Sequence, residues 1–252
     1  MMALHPDFLT KPLAHRGLHD LAKGIPENSP AAFQAAIDAG YGIELDLQLS
    51  ADAQAMVFHD DLLDRLTDET GEVRVKTADK LGSFRLKGGQ DMIPTLAQIL
   101  AQVDGQVPLL IEIKDQDGAL GNDVGTLEVA TARLLANYTG PVAVMSFNPH
   151  AMAVVRENAP DLAVGLVTCD FAADEGWASL PPERLAELTN IVDYERLGAC
   201  FISHDRTDLN RPRVAELKTT GAAILCWTVR SVEEEAAARQ IADNITFEGY
   251  LA

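Results

Sequence analysis

The chain has 252 residues, 47% of them hydrophobic and 23% charged, with 38 acidic side chains against 20 basic ones and a net charge of −18. That length suits one (β/α)8 barrel of roughly 250 residues, although two smaller domains would also fit it, and the apolar content is that of an ordinary globular protein with a large core. So acidic a chain argues against a nucleic-acid backbone or an anionic membrane as main partner; an anionic small substrate would need a locally positive site, which a metal ion could supply.

The three cysteines, Cys169, Cys200 and Cys226, are widely spaced among apolar residues. They read as core residues of a reducing compartment, with no CxxC spacing for zinc or redox work. Met1 to Thr10 lacks a basic region followed by an apolar run, so no signal peptide is expected. No apolar run approaches the roughly 18 residues needed to span a bilayer. The expected location is the cytoplasm, without membrane insertion.

In chain order, Pro12-Leu13-Ala14 is the first strand candidate and runs into His15-Arg16-Gly17. A loop with Gly24, Pro26 and Glu27-Asn28 follows. Ser29-Pro30 then supplies an N-cap and first-turn proline for a helix that stops at Gly40. The next strand, about 43–49, contains Ile43-Glu44-Leu45-Asp46-Leu47. Its alternation puts Glu44 and Asp46 on one face and the aliphatic residues on the other. Two such carboxylates are expensive to bury unpaired, and a divalent cation would justify them. A solvated edge strand is the alternative, and this stretch alone leaves both open.

Ala55-Met56-Val57-Phe58 is a second extended run, separated from the first only by Ser50 to Gln54. A parallel crossover needs a dozen or more residues, so the pair forms an antiparallel hairpin or a bent ribbon turning near Ala51-Asp52. Folding back there returns His59 to the level of Asp46 and sets an imidazole beside the carboxylates. Residues 60–91 are rich in charge and glycine. They read as an irregular excursion, too short to bury a core of its own.

Beyond Pro94 helices and strands alternate. Helices are expected at about 95–103, 124–137, 150–158, after Pro181-Pro182, 212–220 and 232–239. Strands are expected at about 109–114, 142–147, 163–167, 199–203, 223–228 and 244–247. With the hairpin's return arm set aside, eight strand candidates remain, most separated by helices. That is the α/β pattern of a (β/α)8 TIM barrel in a single domain over 1–252, with no repeat or linker to divide it.

In such barrels the site lies at the C-terminal ends of the strands. Polar residues there are His15-Arg16, Glu44 and Asp46, Glu112 and Lys114, Ser146-Phe147, Ser203-His204 and Trp227-Thr228, with His59 delivered by the hairpin. Glu44, Asp46 and Glu112 offer hard oxygen ligands, which favour Mg²⁺, Ca²⁺ or Mn²⁺ over zinc. Arg16 and Lys114 suit an oxyanion such as phosphate. His15 and His59 form an acid and base pair near neutral pH. The constellation describes metal-assisted cleavage of a phosphate ester. Against it, Glu112 and Lys114 could simply pair with each other. Trp227 is core filler or a substrate-facing wall, His204 is open, and His5, His19 and His150 read as surface residues.

The same residues carry a family resemblance. Leu13-Ala14-His15-Arg16-Gly17, Pro26-Glu27-Asn28-Ser29, Glu44-Leu45-Asp46, Val57-Phe58-His59-Asp60, Ile111-Glu112-Ile113-Lys114 and Trp227-Thr228-Val229 are similar, in order, to the signature of glycerophosphodiester phosphodiesterases. Leu63-Asp64-Arg65-Leu66-Thr67 with Gly71 resembles the segment that follows the second histidine there. The resemblance spans nearly the whole chain. It implies a barrel with a small insertion after the second strand, here about 50–93, and metal ligands at Glu44, Asp46 and Glu112. It implies essential histidines at His15 and His59, a phosphate-binding arginine at Arg16, a lysine at Lys114 and a cleft-lining aromatic at Trp227. Glu27 and Asn28 match a motif near the site without an assigned role. The family's last strand usually ends in Thr-Asp-x-Pro, whereas Thr246 here is followed by Phe247-Glu248-Gly249, which bears on cleft shape and alcohol preference. Ala53 stands where glycine is common in the hairpin turn.

The reading is a cytoplasmic hydrolase that uses one divalent cation, Mg²⁺ or Ca²⁺ with Mn²⁺ as third choice, to cleave a glycerophosphodiester to glycerol 3-phosphate and an alcohol. Two alternatives stand beside it: the same chemistry on a lysophospholipid or another phosphodiester, and a barrel that only binds a phosphorylated ligand. The ion, the alcohol, the nucleophile (water or the glycerol 2-hydroxyl), the division of acid and base roles and the assembly, homo-oligomer included, stay open.

Overall fold

Among the described residues nine strands form one sheet: β1 (Leu13–Ala14), β2 (Gly42–Leu49), β3 (Ala55–Val57), β4 (Leu109–Ile113), β5 (Val142–Ser146), β6 (Ala163–Thr168), β7 (Phe201–Asp205), β8 (Ala223–Val229) and β9 (Asn244–Phe247). The computed structural model describes residues 3–173 and 175–252; Met1 and Met2, which begin the segment read as leaderless, lie outside them. Eight strands run parallel, and β1 pairs with both β2 and β9, closing them into a (β/α)8 barrel. β3 is antiparallel to β2, with Leu47 opposite Val57 and Leu49 opposite Ala55. The hairpin is therefore as expected, and Ala53 at its turn sits at φ 60°, a left-handed conformation that glycine adopts more readily.

Alternation along the strands sorts side chains into two layers. Ile43, Leu45 and Leu47 of β2 and Leu109, Ile111 and Ile113 of β4 face outward, into a core shared with helix residues such as Phe33, Ile99 and Val155. Leu110, Ala143, Val167, Phe201 and Leu225 fill the barrel interior. Gly165 makes room there: a Cβ on it would meet the Phe201 ring at 2.4 Å. Phe8, on a short helix at Asp7–Thr10, joins the inner layer, and the Asn244 side-chain amide at the start of β9 donates to the Phe8 and Lys11 carbonyls. The interior is thus largely apolar from below, with Asn244 as a buried polar tie at the bottom, and the charged residues gather at the C-terminal rim.

The helices follow their end signals. Ser29 accepts from the Ala32 N–H to cap Pro30–Ala39, which ends at Gly40 with φ 75°. Thr95 and Gln98 form a reciprocal capping box at the start of Leu96–Val103. Two features differ from expectation. β7 begins and ends two residues later than the pattern indicated, which brings His204 inside the strand. The excursion after β3 also buries an apolar cluster, comprising Leu63, Leu66, Val73, Leu81, Phe84, Leu86 and Ile93 together with Met56 and Phe58. The last two explain it, because the β3 arm lends a sheet edge to a segment otherwise too short to close a core. No described helix is long and apolar enough to cross a membrane, and all three cysteines are buried.

Candidate active site

β2 and β4 are adjacent and in register, with Asp46 level with Glu112. Both carboxylates, and Glu44 two residues earlier, point into the barrel mouth, where their exposures are 1%, 6% and 2%. One oxygen from each lies within 4.8 Å of the others. This excludes the solvated edge strand, since β2 is flanked on both sides and its acids are buried. Burial, then the charges of Asp46 and Glu112, push Glu44 well above the usual carboxylate range. Burial acts on Asp46 in the same sense, yet Lys114, His59, Arg16 and His15 together hold it well below that range. The site thus concentrates more negative charge than its own cations neutralise.

Lys114 answers part of that charge. Its Nζ lies 2.8 Å from Asp46 Oδ1 and 2.5 Å from Glu112 Oε1. The expected alternative of a simple Glu112–Lys114 pair is present, but as one arm of a bridge. Arg16 adds a second cation. It follows β1 in a left-handed conformation, φ 57°, so that its N–H donates to Glu44 Oε2 at 3.0 Å while its guanidinium donates to Glu27 Oε1 at 2.7 Å and stands 3.4 Å from Asp46 Oδ2. Gly17 permits this turn: at φ 80°, a Cβ there would lie 2.8 Å from the Ala32 Cβ. Asn28, fully buried, donates from Nδ2 to Asp46 Oδ2 at 2.8 Å.

Each histidine has a carboxylate at Nδ1. The hairpin sets the Phe58 N–H on the Asp46 carbonyl at 3.0 Å, and the next residue, His59, has Nδ1 2.6 Å from Asp60 Oδ1. Arg65 grips Asp60 with Nε and Nη2 and reaches Glu27 with Nη1 and Nη2, which links the His59 side of the site to Arg16. Across the cleft, His15 Nδ1 lies 2.6 Å from Glu248 Oε2. Burial outweighs that bond and leaves His15 below the ordinary histidine value of 6.5.

The resulting cleft, about 300 Å³, has two unlike halves. His15, Arg16, Glu44, His59, Glu112 and Lys114 line one; Met145, Phe147, Val167, Trp177 and Trp227 line the other. The Trp227 indole donates to the Ser203 carbonyl at 2.9 Å and meets the Phe147 ring edge-on at 5.6 Å, and Trp177 stacks beside Phe147 at 5.3 Å. Such an arrangement can hold an oxyanion and a cation on one side and an apolar group on the other, with two imidazoles between.

The family model for the glycerophosphoryl diester phosphodiesterase family matches residues 15–244. The chain belongs to that family. It is 30% identical over 233 residues to YhdW of Bacillus subtilis, a protein named for the same activity, with 89% of this chain and 88% of that one covered. It is 27% identical over 261 residues to bovine glycerophosphodiester phosphodiesterase 1, covering 94% and 76% of the two chains. Among solved structures, an Oleispira antarctica phosphodiesterase in complex with the product sn-glycerol-3-phosphate superposes with a TM-score of 0.74 at 23% identity, over 94% of this chain and 92% of that one. That likeness shows a shared fold.

For a phosphodiesterase-family barrel the eight expected site residues fall well together. Seven line the cleft, and Asp46 lies directly behind it, against Lys114 and Arg16. Other expectations do not reach it. His204 is buried outside the cleft, bonded to Thr168 Oγ1 at 2.7 Å and to the Asp208 carbonyl at 3.2 Å, and Ser146 Oγ caps the Ile113 carbonyl. His19 is not a plain surface residue, because its Nε2 stands 3.7 Å from Glu248 Oε2. Sequence reasoning gave no role to Asn28, Asp60, Arg65 or Glu248. Adjacency to His59 could have flagged Asp60, and the two-residue spacing from Thr246 could have flagged Glu248.

Proposed function

We propose that the protein hydrolyses glycerophosphodiesters to glycerol 3-phosphate and an alcohol in this cleft, with one divalent cation held by Glu44, Asp46 and Glu112. The observation that carries the reading is the convergence of three buried carboxylates with Lys114, Arg16 and two carboxylate-supported histidines on one rim. The donors are all hard oxygens and carry excess negative charge, so Mg²⁺ or Ca²⁺ fits them, with Mn²⁺ as third choice. Once bound, such an ion supplies charge stabilisation at the phosphoryl oxygens. Arg16 and Lys114 add donors for the same oxygens and orient the phosphate.

His15, held toward its neutral form by burial, takes the proton of the attacking oxygen as that oxygen bonds to phosphorus; where it is the glycerol 2-hydroxyl and not water, water then opens the cyclic phosphate to glycerol 3-phosphate. His59, the more open of the two, gives a proton to the oxygen of the departing alcohol as its bond to phosphorus breaks. Positioned proton transfer of this kind contributes on the order of 10²–10⁴-fold. The Phe147–Trp177–Trp227 wall faces the other half of the cleft and excludes water from the alcohol side.

The test is release of glycerol 3-phosphate from glycerophosphocholine or glycerophosphoethanolamine by the purified chain with Mg²⁺, Ca²⁺ or Mn²⁺. His15→Ala and His59→Ala should each lower it by about 10²–10⁴-fold, leaving a measurable residual rate, with circular dichroism unchanged; near-normal turnover in either variant would refute the assignment. The aromatic wall also supports a second reading, a lysophospholipid as substrate, and lysophosphatidylcholine in the same panel decides between them. The wide spacing of the three cysteines and their burial among apolar residues support a reducing, cytoplasmic setting.

A further inference from the structure

The family's usual last-strand ending is absent here, and the residue that follows β9 takes up an unassigned position. Phe247 turns outward, fully buried between Tyr41 at 4.8 Å and Tyr250 at 5.5 Å. Glu248, two residues beyond the cleft-lining Thr246, comes from the same side of the chain and reaches His15. The backbone fixes both partners: the His15 N–H donates to the Phe247 carbonyl at 2.9 Å, and the Glu248 N–H donates to the Val229 carbonyl at 3.0 Å. Each carboxylate oxygen has its own task. Oε2 lies 2.6 Å from His15 Nδ1, and Oε1 accepts from Arg230 Nε at 2.8 Å.

We propose that Glu248 is a positioning residue for the reaction, one that holds the His15 ring by its Nδ1–H and so presents Nε2 to the cleft, with Arg230 fixing the carboxylate's own orientation. The inference rests on the phosphodiesterase reading above. The hydrogen bond from His15, with the nearby His19 and Arg230 acting in the same sense, holds Glu248 well below the usual carboxylate range. An ionised carboxylate only accepts, so the proton of the bond belongs to Nδ1, and in a neutral imidazole the other nitrogen is then bare. This is the relation of an orienting acid to a catalytic histidine known from hydrolytic triads. The other charged groups around the pair are Arg16 and Asp46 on the His15 side and His19 and Arg230 on the Glu248 side.

Glu248→Ala in the full chain should lower kcat for glycerophosphocholine about ten- to a hundredfold, part of the on-the-order-of 10²–10⁴-fold worth of a positioned base, with KM within about twofold. In a His15→Ala background the same change should bring no further loss, because Glu248 acts only through His15. Glu248→Gln keeps the shape and an acceptor but not the charge, and should move the acidic limb of kcat/KM to lower pH. Nitrogen NMR of the imidazoles, read without any turnover, should show His15 as the Nδ1–H tautomer in the unsubstituted chain and a mixture in Glu248→Ala. Unchanged kcat and tautomer in Glu248→Ala, or an equal loss in both backgrounds, would overturn the proposal. An inactive unsubstituted chain whose His15 tautomer still depends on Glu248 would instead overturn the substrate reading and leave the positioning role standing.

Discussion

Asn28 holds Asp46 at two points: its Nδ2 donates to the Asp46 carboxylate at 2.8 Å, and its Oδ1 accepts the Asp46 N–H at 3.4 Å. A proposed ligand oxygen is thereby aimed by a residue that is not itself a ligand. Removing such a partner typically weakens metal binding by about 10–100-fold. Asn28→Ala should show that loss in calorimetric titration with Ca²⁺ or Mg²⁺. Asn28 sits at φ 54°, so Asn28→Gly, which relaxes the backbone but also lacks the amide, should bind as weakly as Asn28→Ala. Restored binding in the glycine variant would assign the effect to the backbone instead.

Lys114 bridges Asp46 and Glu112 with its side chain largely buried. Burial alone would lower its pKa, but the two carboxylates raise it above the ordinary lysine value, so it stays charged. Lys114→Met keeps the volume and deletes the charge, leaving three carboxylates facing one another. Breaking one partner of a buried ion pair costs about 3–5 kcal/mol. Urea melts of the metal-free chain should show a loss near the lower end of that range, and a saturating divalent cation should recover more stability in the variant than in the unsubstituted chain. Identical metal-free melts would show that Lys114 contributes nothing to balancing the acids.

His15 sets a pH dependence of known sign. Its folded value lies below the ordinary 6.5 because burial disfavours the imidazolium. As pH falls through 6.5 the unfolded chain therefore binds this proton first, and stability declines toward acid. Thermal melts from pH 7.5 to 5.5 should steepen downward for the unsubstituted chain and be flatter for His15→Asn. Parallel curves would mean that His15 ionises alike in both states.

Ala53 occupies a left-handed turn position at φ 60°. Such a conformation costs an L-residue roughly 1–2 kcal/mol, while glycine adds about 0.4–1 kcal/mol of unfolded-state entropy. Ala53→Gly should therefore gain about 0.5 kcal/mol, seen as a rise of one or two degrees in Tm. A fall in Tm would show that the turn has relaxed around the alanine.

Much of this site was legible along the chain because strand alternation is a local rule. Glu44 and Asp46 had to share a face, and five linking residues had to reverse the chain and return His59 toward them. The limits of β7 were less legible, since Ala199-Cys200 continues the apolar run at its start while His204-Asp205 at its end are polar yet pair with β6 and β8. The apolar cluster after β3 was missed for a related reason. Leu63, Val73, Phe84 and Ile93 have no common period and meet only because Met56 and Phe58 give them a surface.

The sequence by itself determined the eight-strand alternation, the rim on which the acids, bases and cations gather, and the family resemblance, because each follows from side-chain period, connection length or ordered motif. Only the tertiary structure decided which acid serves which base. Glu248 meets His15 across 233 positions, and Glu27, which binds Arg16, meets Arg65 across 38. Those pairings depend on barrel closure between β1 and β9 and on the fold of the excursion over the rim, and no local pattern encodes a distance between ends of a chain that meet only when the sheet is closed.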